Sequence, residues 1–138
     1  MARLATILII LLMASWAHAY DGEPKEQVAA FFKDYSAGKQ AVAIDKLYSK
    51  NPLSGQRAEQ LTLMKQRAGS VQALYGSFLG TENIHTEALS PSLVRIVELA
   101  RHERHPVLWE FYFYKSKNQW FAAQVMFEDQ FQVAGAKK

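Results

Sequence analysis

The chain has 138 residues, one domain's worth, with 49% hydrophobic residues, a formal net charge of +3 and no cysteine. That charge is too mild for a dedicated nucleic-acid binder, and the apolar content is too high for a disordered chain. The missing cysteines exclude disulfides, thiolate metal sites, a cysteine nucleophile and a lipid-modified cysteine anchor.

Met1-Ala2-Arg3 is a short basic start, Leu4 to Trp16 is almost wholly apolar, and Ala17-His18-Ala19 supplies a small-x-small pattern. The apolar run falls short of the roughly 20 residues that a membrane span needs. We therefore expect a cleaved secretory signal over 1–19 and a periplasmic or secreted protein with no stable membrane anchor. A single domain over 20–131 and a flexible tail over 132–138 would follow. Without disulfides that domain must rest on its hydrophobic core, and nine aromatic residues fall between Trp109 and Phe131.

Pro24 suits a first helical turn, and Val28, Phe31, Phe32 and Tyr35 share one helical face. Gly38 ends that helix. A second, shorter helix is predicted over Gln40–Tyr48. Asn51-Pro52 and Ser54-Gly55 mark a loop, with Ser54 as a candidate cap for a third helix from about Arg57. Leu61, Met64, Ala68, Val71 and Tyr75 form its buried stripe, and Gly76 stops it. Gly69, inside this helix, is expected to mark a close approach of helix to sheet.

Beyond Gly76 the period changes from 3.6 to 2. Four strands are predicted, over Phe78–Glu87, Leu93–Arg101, Val107–Lys115 and Gln119–Glu128, with a charged loop, Arg101–His105, after the second. On the third strand Val107, Trp109, Phe111 and Phe113 alternate with Leu108, Glu110, Tyr112 and Tyr114. On the fourth, Trp120, Ala122, Gln124 and Met126 alternate with Phe121, Ala123, Val125 and Phe127. Three N-terminal helices packed on a curved four-stranded antiparallel sheet make an α+β fold, a cone-shaped roll.

This order and certain residues resemble the nuclear transport factor 2-like superfamily, also called the cystatin-like cone fold, in its secreted bacterial members of unknown function. Val28-Ala29-Ala30-Phe31-Phe32 followed by Tyr35-Ser36-Ala37-Gly38-Lys39 is similar to the family's first helix and its break. Ala43-Ile44-Asp45-Lys46-Leu47-Tyr48 is similar to its second helix, and Phe113 to Trp120 to its closing hairpin. The resemblance implies enzymes and non-enzymes alike. In the steroid isomerase branch a catalytic Tyr would fall at Phe31, and a general-base Asp would fall within Ser49-Lys50-Asn51-Pro52-Leu53. Neither group is present there, which disfavours an isomerase or dehydratase.

Three further groups carry polar chemistry. His102 and His105 flank Glu103 and Arg104, where a solvated loop is favoured over a metal site. Asp34, Asp45 and His85 would form an acid–base constellation only if the fold brought them together. No cofactor or metal is expected. The stronger signal is apolarity on both faces of the last two strands, which points to an interface or a ligand groove. Phe31, Phe32, Trp109, Phe111 and Phe113 are the candidate lining of an apolar ligand cone. Leu108, Tyr112, Tyr114, Trp120 and Met126 are the candidate interface, toward a second copy or an envelope protein. The expected function is a non-catalytic domain that binds a partner or itself through this aromatic face, with the ligand-binding cone as the alternative.

Overall fold

A computed structural model describes residues 19–129. The expected leader up to His18, the last two residues of the expected domain (130–131) and the expected tail over 132–138 lie outside the described residues. Three helices precede an open, curved, four-stranded antiparallel sheet, an α+β fold. The helices are α1 (Pro24–Ser36), α2 (Gln40–Tyr48) and α3 (Ala58–Tyr75), with a 310 turn at Ser54–Arg57 ahead of α3. The strands are β1 (Phe78–Ser90), β2 (Leu93–His102), β3 (Val107–Lys115) and β4 (Trp120–Glu128), paired in chain order.

Helix α1 starts at Pro24, whose missing N–H costs nothing in the first turn. It ends where Gly38 turns to a φ of +78° and Lys39 N–H reaches back to Asp34 O at 3.0 Å. Its stripe of Val28, Phe31, Phe32 and Tyr35 is buried, and Phe31 is 0% exposed. Helix α2 buries Ala43, Ile44, Leu47 and Tyr48. Helix α3 buries only Ala68 and Val71; Leu61, Met64 and Tyr75 are half-buried, and Leu63 and Leu74 stand in solvent. Ser54 opens the 310 turn rather than capping α3, which has no side-chain cap. Gly69 is not a close-approach site either: a Cβ there would meet nothing within 4 Å.

The inner face of the sheet is set by β3. Trp109, Phe111 and Phe113 are all 0% exposed, and their cross-strand partners Ile96 and Val125 are buried with them. β4 does not alternate cleanly. The ladder pairs Tyr112 with Gln124 but Phe113 with Ala122, so Ala123 is an extra residue, a β-bulge. One extra residue reverses the facing of everything beyond it. Trp120 and Ala122 therefore share the inner face with Val125 and Phe127, while Phe121, Gln124 and Met126 look outward.

Candidate functional site

The five candidate cone residues do come together. Phe31 meets Trp109 at 5.0 Å and Phe111 at 5.3 Å between ring centroids, both edge to face. Phe32 lies against Phe31, Trp109 and Phe111, and Phe113 stacks beyond Phe111 at 6.4 Å. Edge-to-face pairing places a positive ring edge on a negative ring face and adds about 0.5–1.5 kcal/mol per pair to the burial itself. These rings pack directly against one another between α1 and the inner face of the sheet.

Beside this cluster the Tyr35 hydroxyl and the His102 ring are tied into a hydrogen-bonded chain, whereas the buried indole N–H groups of Trp109 and Trp120 have no hydrogen-bond partner. The Tyr35 hydroxyl stands 2.8 Å from His102 Nε2, and His102 Nδ1 lies 2.9 Å from Gly76 O. The carbonyl can only accept, so Nδ1 carries the proton and Nε2 accepts from the phenol. Burial pushes the Tyr35 phenol up to about 12, while the Trp109 indole N–H, facing its oxygen short of full hydrogen-bond geometry, pulls the other way. His102 is thus a buried strand-end residue, not part of a solvated loop. Its neighbours serve the C-terminus of α3. Arg104 donates to Ala73 O and Leu74 O, its backbone N–H reaches Tyr75 O, and Glu103 N–H bonds Ser77 O. A cation beside the last carbonyls of a helix also suits the helix dipole. His105 packs on Tyr75 at 4.9 Å and contacts Asp129 O.

Asp34, Asp45 and His85 are not brought together. Asp34 accepts from Tyr20 OH at 2.6 Å and pairs with Lys46 at 2.9 Å, so its carboxyl is held below the usual range, chiefly by the Tyr20 bond. Asp45 pairs with Lys65. His85 lies on the outer face of β1, exposed, 3.1 Å from Glu87. Among the described residues no three His, Asp or Glu side chains converge to hold a metal.

The outer face of the sheet carries four of the five candidate interface residues. Leu108 is buried there, Tyr112 and Met126 are half-buried, and Tyr114 is 43% exposed and edge-on to Phe121 at 5.7 Å. Trp120 stands on the opposite face because of the bulge at Ala123. A polar cluster crosses the middle. Arg95 Nε and Tyr112 OH both donate to Glu110 Oε1 at 2.7 Å. The bond to Glu110 raises the Arg95 pKa, and burial, helped by Glu110, raises that of Tyr112. Beside it, Arg57 and Gln60 reach around β4 to face Leu93, Tyr112 and Gln124 across an open depression of about 650 Å³. Both residues read as the start of a helix, so nothing in the sequence marks them as reaching this face.

A second groove runs between α3 and β4. Its deeper part, about 140 Å³, is lined by Arg67, Val71, Leu74, Tyr75, Val107 and Phe127, with the Arg67 guanidinium 5.2 Å over the Phe127 ring. Among the described residues no helix is long and apolar enough to cross a membrane. Comparison with known protein families, with characterised proteins and with solved structures finds no match to the chain.

Proposed function

We propose that this chain is an exported, non-catalytic protein-binding domain of the nuclear transport factor 2-like type, acting through the outer face of its sheet. The observation that carries the reading is the composition of that face. Leu93, Tyr112, Tyr114, Phe121 and Met126 surround the Arg95–Glu110 pair, with Arg57 and Gln60 at the rim. Tyr, Phe, Met and Arg are the residue types that protein interfaces enrich, around a polar group already satisfied within its own chain. Arg57 gives one donor to Ala123 O at 3.1 Å and keeps others for a partner's carboxylate. The apolar leader supports the exported location.

The test is a photo-activated cross-linker placed at Tyr114 in the cells that make the protein, with Lys25 on the polar side of α1 as the control position. The expected result is a discrete adduct heavier than two copies of the chain at Tyr114 and none at Lys25. An adduct of two copies alone would mean that the face joins the chain to itself. No adduct at Tyr114 would overturn the proposal.

A further inference from the structure

The two edges of the sheet are finished differently. The β4 edge is sealed by side chains. Gln27 Nε2 donates to Trp120 O at 3.2 Å, Asn51 Nδ2 to Ala122 O at 2.8 Å and Arg57 to Ala123 O at 3.1 Å. The Val125 N–H is taken by Tyr48 OH at 2.8 Å. At the β1 edge no helix side chain bonds the backbone among the described residues, and every residue from Thr81 to Ser90 is exposed. Natural sheets blunt an open edge with Lys, Pro or bulges. Phe78–Ser90 has no Lys, Arg or Pro.

It does have bulges, and their contents are unusual. The ladder with β2 skips one β1 residue between Phe78 and Gly80, between Asn83 and His85, and between Ala88 and Ser90. The skipped residues are Leu79, Ile84 and Leu89. They are the large exposed hydrophobics of the strand, at 53%, 49% and 47%. They stand five residues apart and are symmetric about Ile84.

We infer that β1 pairs antiparallel with β1 of a second copy of this chain about a two-fold axis at Ile84, making one continuous sheet. An isologous contact requires a self-complementary surface. In this register Ile84 faces Ile84 and Leu79 faces Leu89 in both directions. Charge agrees: Glu82 falls opposite Thr86, Glu87 opposite Thr81 and His85 opposite Asn83, so no two carboxylates are juxtaposed. A one-residue slip would lose all three apolar matches. The contact leaves the outer face of the sheet free and does not depend on what binds there.

An edge pairing buries less than the standard interface of about 1,600 Å², so the dimer is expected to be weak, with a Kd on the order of 10–100 µM. Sedimentation of the chain with its own N-terminus should show a monomer–dimer equilibrium that Ile84→Lys weakens at least tenfold. Near-ultraviolet circular dichroism should be unchanged, since Ile84 is exposed and lies outside the hydrophobic core. Cysteine cross-linking reads the register, and the chain has no cysteine to interfere. Ile84→Cys alone should form a disulfide dimer under mild oxidation. Leu79→Cys alone should not, whereas a mixture of Leu79→Cys and Leu89→Cys should. A chain that stays monomeric at several hundred micromolar overturns the inference. So does a dimer that survives Ile84→Lys but is lost in Tyr114→Glu, which would lie on the outer face instead. Cross-linking of Ile84→Cys in cells to a different protein, and not to itself, also overturns it.

Discussion

The Tyr35 hydroxyl and His102 Nε2, 67 residues apart in the chain, meet at 2.8 Å and join the last turn of α1 to the end of β2. Both side chains are buried, so neither can turn to water if the other is lost. Tyr35→Phe should cost about 1–3 kcal/mol, the usual penalty for a stranded buried acceptor. Urea denaturation should show a lower midpoint with an unchanged slope. Adding His102→Leu to Tyr35→Phe should cost less than the two single changes summed, because the second removes the stranded group. Strict additivity would mean that the bond does not form in solution.

Stability should fall at both ends of the pH scale, for opposite reasons. The Asp34 carboxyl is lowered on folding, mainly by the Tyr20 hydroxyl and then by Lys46. Its contribution is present above the unfolded value of about 3.9 and is lost as pH drops through the lower folded value. Tyr20→Phe removes the larger cause and should flatten the acid limb of stability against pH. Tyr35 is raised to about 12 by burial. Its contribution is complete below the unfolded phenol value of about 10 and is lost as pH rises from there toward the folded value. Phenolate absorbance from the buried tyrosines should therefore appear together with unfolding. Ionisation of the buried phenols ahead of unfolding would contradict the packing described.

The same substitution should have opposite signs at two glycines. Gly38 holds a φ of +78° at the end of α1, and a Cβ there would touch nothing. Gly38→Ala should therefore cost about 1 kcal/mol from the backbone alone. Gly69 lies inside α3 with ordinary helical φ and equally open space. Gly69→Ala should stabilise by about 0.5–1 kcal/mol, because alanine loses less freedom in a helix. Thermal melts of the two variants check the pair.

The periodicity of residues 24–128 is enough to place every helix and strand, because core-facing side chains recur at 3.6 or 2 wherever the backbone is regular. It fails where the backbone is not. The bulge at Ala123 sends Trp120 inward although its alternation with Met126 reads as outward. The bulges at Leu79, Ile84 and Leu89 are invisible in sequence, since nothing in a run such as Asn83-Ile84-His85 marks the residue that the ladder will skip. His102 reads as a loop residue because the charged run Arg101–Arg104 hides a strand end, and only the partner groups Tyr35 and Gly76 reveal its place. The aromatic content of the core was legible; the mutual closure of Phe31, Trp109 and Phe111 was not, because it depends on the curvature of the sheet.

The seal on β4 also dictates a timetable. Its donors and acceptors, Gln27, Tyr48, Asn51 and Arg57, precede their strand partners by 66 to 93 residues. A chain synthesised from its N-terminus shows all four long before the groups they bond exist. Contacts of such long sequence separation form slowly, since loop closure must come first. The helical half should therefore stay incompletely ordered until Val125 has emerged. For a polypeptide still emerging, that delay keeps the chain pliable until its last strand is complete.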